Sequence, residues 1–334
     1  MLNVDVEVDR RDFPVRAALH VADGERVALF GPSGAGKTTV LEVIAGLVAP
    51  RTGHVELAGR VLTPAAGPPV PPWQRRVGLL RQDPGLFPHL SVGANLRYAR
   101  RRGAGPPPAE LGALTRQLGI DGLLDAMPVR LSGGQRHRVA LGRLLLAHCD
   151  ALLLDEPFAS LDAALRRSLT ALVRDLAEQR AVPTLLVTHQ LSDAQAFADR
   201  LAVMDRGVIL QEGAPDEVVL RPASRHVAVL VGYLGFVSVP GGQDGNLVAG
   251  VHPDRVLPVA DPSRGLVVSG NVVAARPSGA GWEADLRAGD AAFTCRLPGP
   301  PVGDRVTVTV ADPPYFGPDG ARAEPALAAG DADP

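Results

Sequence analysis

Apolar and polar residues change their spacing several times along the chain, and each change marks an element. The opening MLNVDVEV alternates apolar with polar or acidic residues at the two-residue period of a strand. Residues 25–30 (ERVALF) read as a buried strand, and residues 39–45 (TVLEVIA) as a helix with an apolar face. Residues 151–154 (ALLL) form a short apolar run that ends in Asp155 and Glu156, which predicts a buried parallel strand with acids at its carboxyl end. Between about Leu90 and Val129 this α/β pattern is interrupted by helical stretches at 92–102 and 108–118. The proline-rich runs 64–72 and 105–108 read as loops, since proline removes a backbone donor. Beyond Val219 the composition changes, and residues 245–312 show short alternating runs such as RVTVTV at 305–310, broken by Gly and Pro.

These patterns predict an α/β domain over 1–220 with a helical subdomain at about 90–130, and a linker over 221–244. A small all-β domain is expected over 245–316, followed by a disordered tail over 317–334 that is rich in Ala, Asp, Gly and Pro. A chain of 334 residues is long enough for one large and one smaller domain. Its 46% hydrophobic and 21% charged residues are ordinary for a folded chain. A net charge of -2 and the lack of a basic stripe interleaved with aromatics argue against a nucleic-acid partner. The N-terminus lacks the basic start and apolar run of a signal peptide. No apolar run approaches the roughly 20 residues that span a bilayer, so any membrane role requires a partner. Cys149 and Cys295 are isolated and read as core thiols in a reducing compartment.

Of the 34 basic residues, only Lys37 is a lysine. A chain that uses arginine everywhere else keeps its one flexible point charge for a specific task. Lys37 stands in Gly31, Pro32, Ser33, Gly34, Ala35, Gly36, Lys37, Thr38, the spacing of a phosphate-binding loop, with Thr39 next in line. Glycines let the backbone wrap an anion, the helix N-terminus faces it, and the lysine reaches the β- and γ-phosphates of ATP. Thr38 is then a ligand of Mg²⁺. Asp155 can complete the Mg²⁺ shell from the neighbouring strand end, and Glu156 can polarise the attacking water.

The segment Leu131, Ser132, Gly133, Gly134, Gln135, Arg136 is another glycine-opened helix start, able to offer Ser132 and the Gly134 N–H to an anion. It resembles the signature of ABC transporter ATPases. The other parts of that family's pattern follow in order over about residues 1–220. Gln82 matches the glutamine that senses Mg²⁺ and links to the transport partner. Residues 159–162, ending in Asp162, match the loop that crosses the dimer interface, and His189 matches the histidine that contacts the γ-phosphate. Phe13 is the candidate for the aromatic that stacks on adenine. His137 stands where the family often has glutamine.

The resemblance implies a P-loop fold with a RecA-like core and ABC helical subdomain. It also implies a homodimer in which the signature of one chain faces the ATP of the other. Catalysis then rests on Glu156, His189 and Gln82, with integral membrane permease subunits as partners, a solute-binding protein acting indirectly, and a place at the cytoplasmic face of the membrane. Residues 250–256 (GVHPDRV) resemble the opening of the OB-like, TOBE-type barrel appended to importer ATPases. The stretch from Arg75 to His89, with Asn95–Tyr98, Leu141–Arg143 and Phe158–Asp162, is similar to molybdate-importer ATPases. Molybdate is therefore the expected cargo, with sulfate, polyamine or ferric iron as alternatives. A soluble ABC ATPase of DNA repair or the ribosome is the rival class. Those proteins usually carry two cassettes or long insertions, and this chain shows one cassette without them.

Overall fold

The computed structural model describes residues 1–98, 108–159, 161–239, 247–279, 281–289 and 291–324. The chain divides into two compact units, Met1–Pro215 and Asp216–Pro334. The first contains, in order, β1 (Leu2–Val8), β2 (Val15–Val21), β3 (Arg26–Phe30), α1 (Lys37–Ala45), β4 (Thr52–Leu57), β5 (Arg60–Thr63) and β6 (Val77–Leu80). There follow α2 (Val92–Tyr98), α3 (Pro108–Gln117), α4 (Gly133–Leu145), β7 (Ala151–Asp155), α5 (Ala163–Arg180), β8 (Thr184–Thr188), α6 (Leu191–Phe197), β9 (Arg200–Asp205) and β10 (Val208–Gly213).

Ten strands form one sheet in the order β5-β4-β1-β2-β10-β9-β3-β8-β7-β6. Its two halves follow from their sequence patterns. β2 buries every second residue, as a sheet with one covered face requires, and pairs antiparallel with β1. β3, β7 and β8 are buried at every position and pair in parallel, because helices cover both of their faces. β6 and β9 extend the parallel part on either side. The register sets Phe30 beside Thr188, Val187 beside Asp155, and Leu154 beside Leu80. The chain therefore leaves β3, β8, β7 and β6 at one common edge, where open α/β sheets bind ligands.

The C-terminal end of α1 is anchored by a buried arginine. Arg75 donates to the carbonyls of Val43 and Ile44 at 2.9 Å, to Val70 O at 2.8 Å and to Thr63 Oγ1 at 3.0 Å. These bonds satisfy helix carbonyls that lack intrahelical partners. Gly46, the left-handed cap of α1, leaves the space the guanidinium needs, since a Cβ there would lie 2.4 Å from Arg75 Nε. In the helical region Arg143 of α4 donates to Asn95 Oδ1 on α2 at 3.4 Å, and the buried Asn95 amide donates to the carbonyls of Phe87, Leu90 and Ser91. The helix expected over 92–102 is α2 as far as Tyr98, and its remaining residues lie outside the described ones.

The second unit holds α7 (Pro215–Leu220), which starts at the boundary, α8 (Arg225–Leu230), β11 (Gly235–Val239), β12 (Leu247–Val251), β13 (Val256–Leu257) and β14 (Leu266–Ser278). It continues with β15 (Gly281–Ala288), β16 (Ala291–Leu297), β17 (Arg305–Val310), β18 (Tyr315–Phe316) and β19 (Arg322–Ala323). Among the described residues these strands form an antiparallel sheet over a core that includes Val237, Val251, Leu286, Phe293, Cys295 and Val308.

Two sequence expectations need correction. Residues 221–244, expected as a linker, contain α8, capped by Ser224, and β11, which pairs with β12 and β16. The apolar residues Val227, Ala228 and Val237 are buried there, which an open linker does not allow. The tail expected to be disordered from 317 begins with a turn, in which Gly320 takes φ 77° and its N–H donates to Gly317 O at 2.9 Å. That turn returns β19 onto β18. Pro-Asp-Gly at 318–320 is a turn signal, and composition alone had masked it. Residues 325–334 lie outside the described ones.

Candidate nucleotide-binding and hydrolysis site

The loop 31–36 connects β3 to α1, the strand, loop and helix context expected from its spacing. Gly34 and Gly36 take φ of 83° and 105°, left-handed values that suit glycine. Gly31 is fixed by packing instead: a Cβ there would lie 1.9 Å from Met204 O on β9. Gly31→Ala should therefore push the loop off β9, lowering stability by about 3 kcal/mol. A reduced urea midpoint together with weakened nucleotide binding would register this; an unchanged midpoint would show that the loop yields freely.

Lys37 is buried, and its Nζ donates to the carbonyls of Gly31 and Pro32 at 2.8 Å each. Burial holds its ammonium below the usual lysine range, while the carboxylates of Glu156, Asp155 and Asp205 act in the opposite sense. Thr38 Oγ1 donates to Asp155 Oδ2 at 3.0 Å. Burial raises the Asp155 carboxyl above its ordinary range, the bond from Thr38 lowers it, and the nearby Glu156 charge raises it again. This donor set consists of oxygen atoms. Mg²⁺ binds through few protein carboxylates plus substrate phosphates and water, and among the described residues no group of three or more His, Cys, Asp or Glu could hold a metal by itself. Thr38 and Asp155 fit that kind of site.

Glu156, directly after β7, has φ 51°, an uncommon conformation for a side-chain-bearing residue and one that clusters at functional sites. Its N–H donates to Val187 O at 3.0 Å, so the turn is held by the neighbouring strand β8. Its Oε1 accepts from His189 Nδ1 at 2.7 Å. Two residues found separately in the sequence are thus in direct contact. Gln82 is exposed two residues past β6, on the same sheet edge.

Phe13 is half-buried and, with Arg10, Arg11, Asp12, Lys37 and Thr38, lines a cavity of about 520 Å³ beside the phosphate loop. Arg10, which the sequence reading passed over, donates from Nε and Nη2 to Thr39 Oγ1 at 3.0 and 2.8 Å. The signal available for it was the basic pair just ahead of Phe13.

The signature stands apart from that cavity, since Ser132, Gly133, Gly134 and Gln135 are not among the residues lining it. Ser132 caps α4, and with Gln135 it forms a reciprocal box: Gln135 N–H donates to Ser132 Oγ at 3.2 Å, and Ser132 N–H to Gln135 Oε1 at 2.8 Å. A Cβ at Gly133 would meet nothing within 4 Å, so packing within this chain does not explain that glycine. His137 turns into the interior, where burial lowers its pKa and favours the neutral ring. Asp162 caps α5 by accepting from the N–H groups of Ala164 and Leu165, and the Leu165 bond leads in holding its carboxyl below the usual range. Ser160, in the loop before it, lies outside the described residues.

The profile of the ABC transporter family matches residues 16–159. The Fe(3+) ions import ATP-binding protein FbpC 1 of Rhodococcus jostii is 40% identical over 274 residues, covering 77% of this chain and 78% of its own length. The molybdenum import ATP-binding protein ModC of Mesorhizobium japonicum is 41% identical over 224 residues, covering 66% of this chain and 60% of its own. Across iron-import relatives the chain spans from 59% to 78% of their length. Among solved structures, a dimeric ATP-binding cassette in a post-hydrolysis state with ADP and phosphate superposes with a TM-score of 0.57 at 24% identity. That match covers 64% of this chain and 99% of the other, and it supports the fold. With a phosphate loop, an adjoining acidic strand end and a capped signature helix in one unit, and with a relative matched over most of both chains, the chain belongs to the ABC transporter family as one of its ATP-hydrolysing subunits.

Proposed function

We propose that this chain energises import of a small oxyanion, working as a homodimer on the cytoplasmic side of permease subunits that receive cargo from a solute-binding protein. The observation that supports it most is the cluster at the sheet edge, where Thr38 is hydrogen-bonded to Asp155, His189 to Glu156, and the buried Lys37 ammonium lies within the field of both carboxylates. In this reading the 31–38 loop and Lys37 hold the phosphates of ATP, and Phe13 stacks on the base. Mg²⁺, held through Thr38 and Asp155 with Gln82 nearby, supplies charge neutralisation at the phosphates. Glu156 orients water for in-line attack, and His189 holds that carboxylate until it turns to the γ-phosphate. Ser132 and Gly134, left outside the chain's own cavity, serve the ATP of the second chain, with Asp162 and its loop at the interface. Among the described residues no helix is long and apolar enough to cross a membrane.

The cargo assigned here is molybdate, on the likeness of the Arg75–His89 region and the segments around Asn95, Arg143 and Phe158 to molybdate-importer ATPases. Ferric iron is the second reading. It is favoured by the longer match to an iron-import relative, 274 residues against 224 for the molybdenum one. The antiparallel sheet of the second unit is read as a TOBE-type domain, a place for assembly or cargo feedback. Reconstitution with the permease and binding protein tests this function: molybdate, and neither sulfate, polyamine nor ferric iron, should stimulate ATP hydrolysis. Stimulation by ferric iron alone would move the assignment to the second reading, and no stimulation by any cargo would remove the importer role.

A further inference from the structure

Arg166 lies in the first turns of α5 and reaches two different loops of the hydrolysis site. Its Nη2 donates to Leu161 O at 3.2 Å, in the loop that follows Glu156 and ends at Asp162. Its Nη1 donates to Gln190 Oε1 and lies 3.7 Å from Asp193 Oδ1. Gln190 immediately follows His189, whose ring is bonded to Glu156. The remaining donor, Nε, is buried without a partner. One guanidinium thus spans the segments that leave β7 and β8.

Structural support alone accounts poorly for this arrangement. Asp193 has a side-chain exposure of 6% and Arg166 of 25%, and a partly buried ion pair with an unsatisfied donor contributes little net stability compared with an apolar pair of similar size. α5 and α6 are already joined about two turns further along α5, where Arg174 donates to Ala196 O at 2.7 Å. The planar fork of arginine is suited to holding two acceptors in fixed relation, which a flexible lysine does only in part.

We infer that Arg166 is a positioning residue for hydrolysis, which ties the 157–162 loop to the turn at His189–Gln190 so that a shift of the loop moves the imidazole relative to Glu156. This inference rests on the hydrolytic reading of Glu156 and His189. The interface loop and the histidine then move together: when a second chain presses on 159–162, the strain reaches His189 through Leu161 O, the guanidinium and Gln190. Asp193 keeps the guanidinium from swinging away.

Steady-state ATP hydrolysis and nucleotide affinity measured on full-length Arg166→Ala, Arg166→Lys and Arg166→Ala/Asp193→Asn provide the test, with Arg167→Ala, an exposed neighbour on the same helix, as control. Arg166→Ala should lower kcat by about 10–100-fold, the scale on which a small misplacement costs rate. KM for ATP and nucleotide affinity should stay within about twofold, because the phosphate loop is untouched. Arg166→Lys should recover part of the loss, and the double variant should be no worse than Arg166→Ala, since both lesions break one tie. If Arg166→Ala does not fold, Gln190→Ala, which removes one acceptor without leaving a charge unpaired, should still lower kcat by about tenfold at unchanged KM. A folded Arg166→Ala or Gln190→Ala with wild-type kcat, or with a lower melting temperature and no loss of kcat, overturns the inference. A wild-type chain that hydrolyses no ATP would instead refute the functional reading on which it rests.

Discussion

Replacing Glu156 with glutamine should leave ATP binding in place while lowering turnover by about 10²–10⁴-fold, the contribution of a positioned general base. The amide keeps the size and most of the packing of the carboxylate. The backbone at φ 51° is held by the bond to Val187 O, which does not involve the side chain. What is lost is the negative charge that faces His189 Nδ1 and orients water. The amide can turn its oxygen to the imidazole, so the ground state should survive and the closed, ATP-bound dimer should accumulate. Nucleotide retention after gel filtration, read beside phosphate release, separates the two effects. Near wild-type turnover would show that another group activates the water.

Lys37→Ala should remove nucleotide binding and hydrolysis together, with kcat/KM for ATP falling by about 10²–10³-fold. The ammonium is buried, bonds to the two carbonyls that open the loop, and lies within the field of Asp155 and Glu156. Without it, two acidic groups face the incoming phosphates uncompensated. Lys37→Arg should fail as well, even in a chain whose other basic residues are all arginines, because a planar fork does not fit where one point charge meets Gly31 O and Pro32 O. Full activity of Lys37→Arg would mean that positive charge alone, and not its shape, is what the loop requires.

The parts of the site that the sequence made visible are those built from neighbouring residues. Gly31 to Thr38 encodes its loop locally, since the glycine positions and the flanking strand and helix lie within a few turns of chain. Asp155 and Glu156 are marked by the apolar strand before them, and Ser132 with Gln135 by the glycines that open a helix between them. The bond between Glu156 and His189 spans 33 positions and exists only because β7 and β8 are parallel neighbours in register. Arg75 follows a proline-rich stretch and is buried as the anchor of α1, and no local pattern carries that information. Arg166 was equally unremarked, because its acceptors come from two separate loops. In the second unit the error ran the other way. Local composition suggested a linker and a loose tail, whereas strand pairing places Gly235–Val239 beside β12 and β16, and Arg322–Ala323 beside β18 through a tight turn. The cargo is the least legible property, for every phosphate-handling residue named here serves the fuel and none of them meets what is transported.

The central claim is that each working site is shared, with Lys37 from one chain and Ser132 from the other. Ser132→Arg and Lys37→Ala should each be inactive alone. In a mixed dimer both lesions fall on the same composite site and the other site is intact. Phosphate release from an equal mixture of the two inactive variants is therefore the measurement to make. Random pairing makes half of the dimers mixed, each with one working site, so activity should return to about a quarter of the wild-type rate. A mixture as inactive as its two components, with mixed dimers verified by differential tagging, would contradict the shared site.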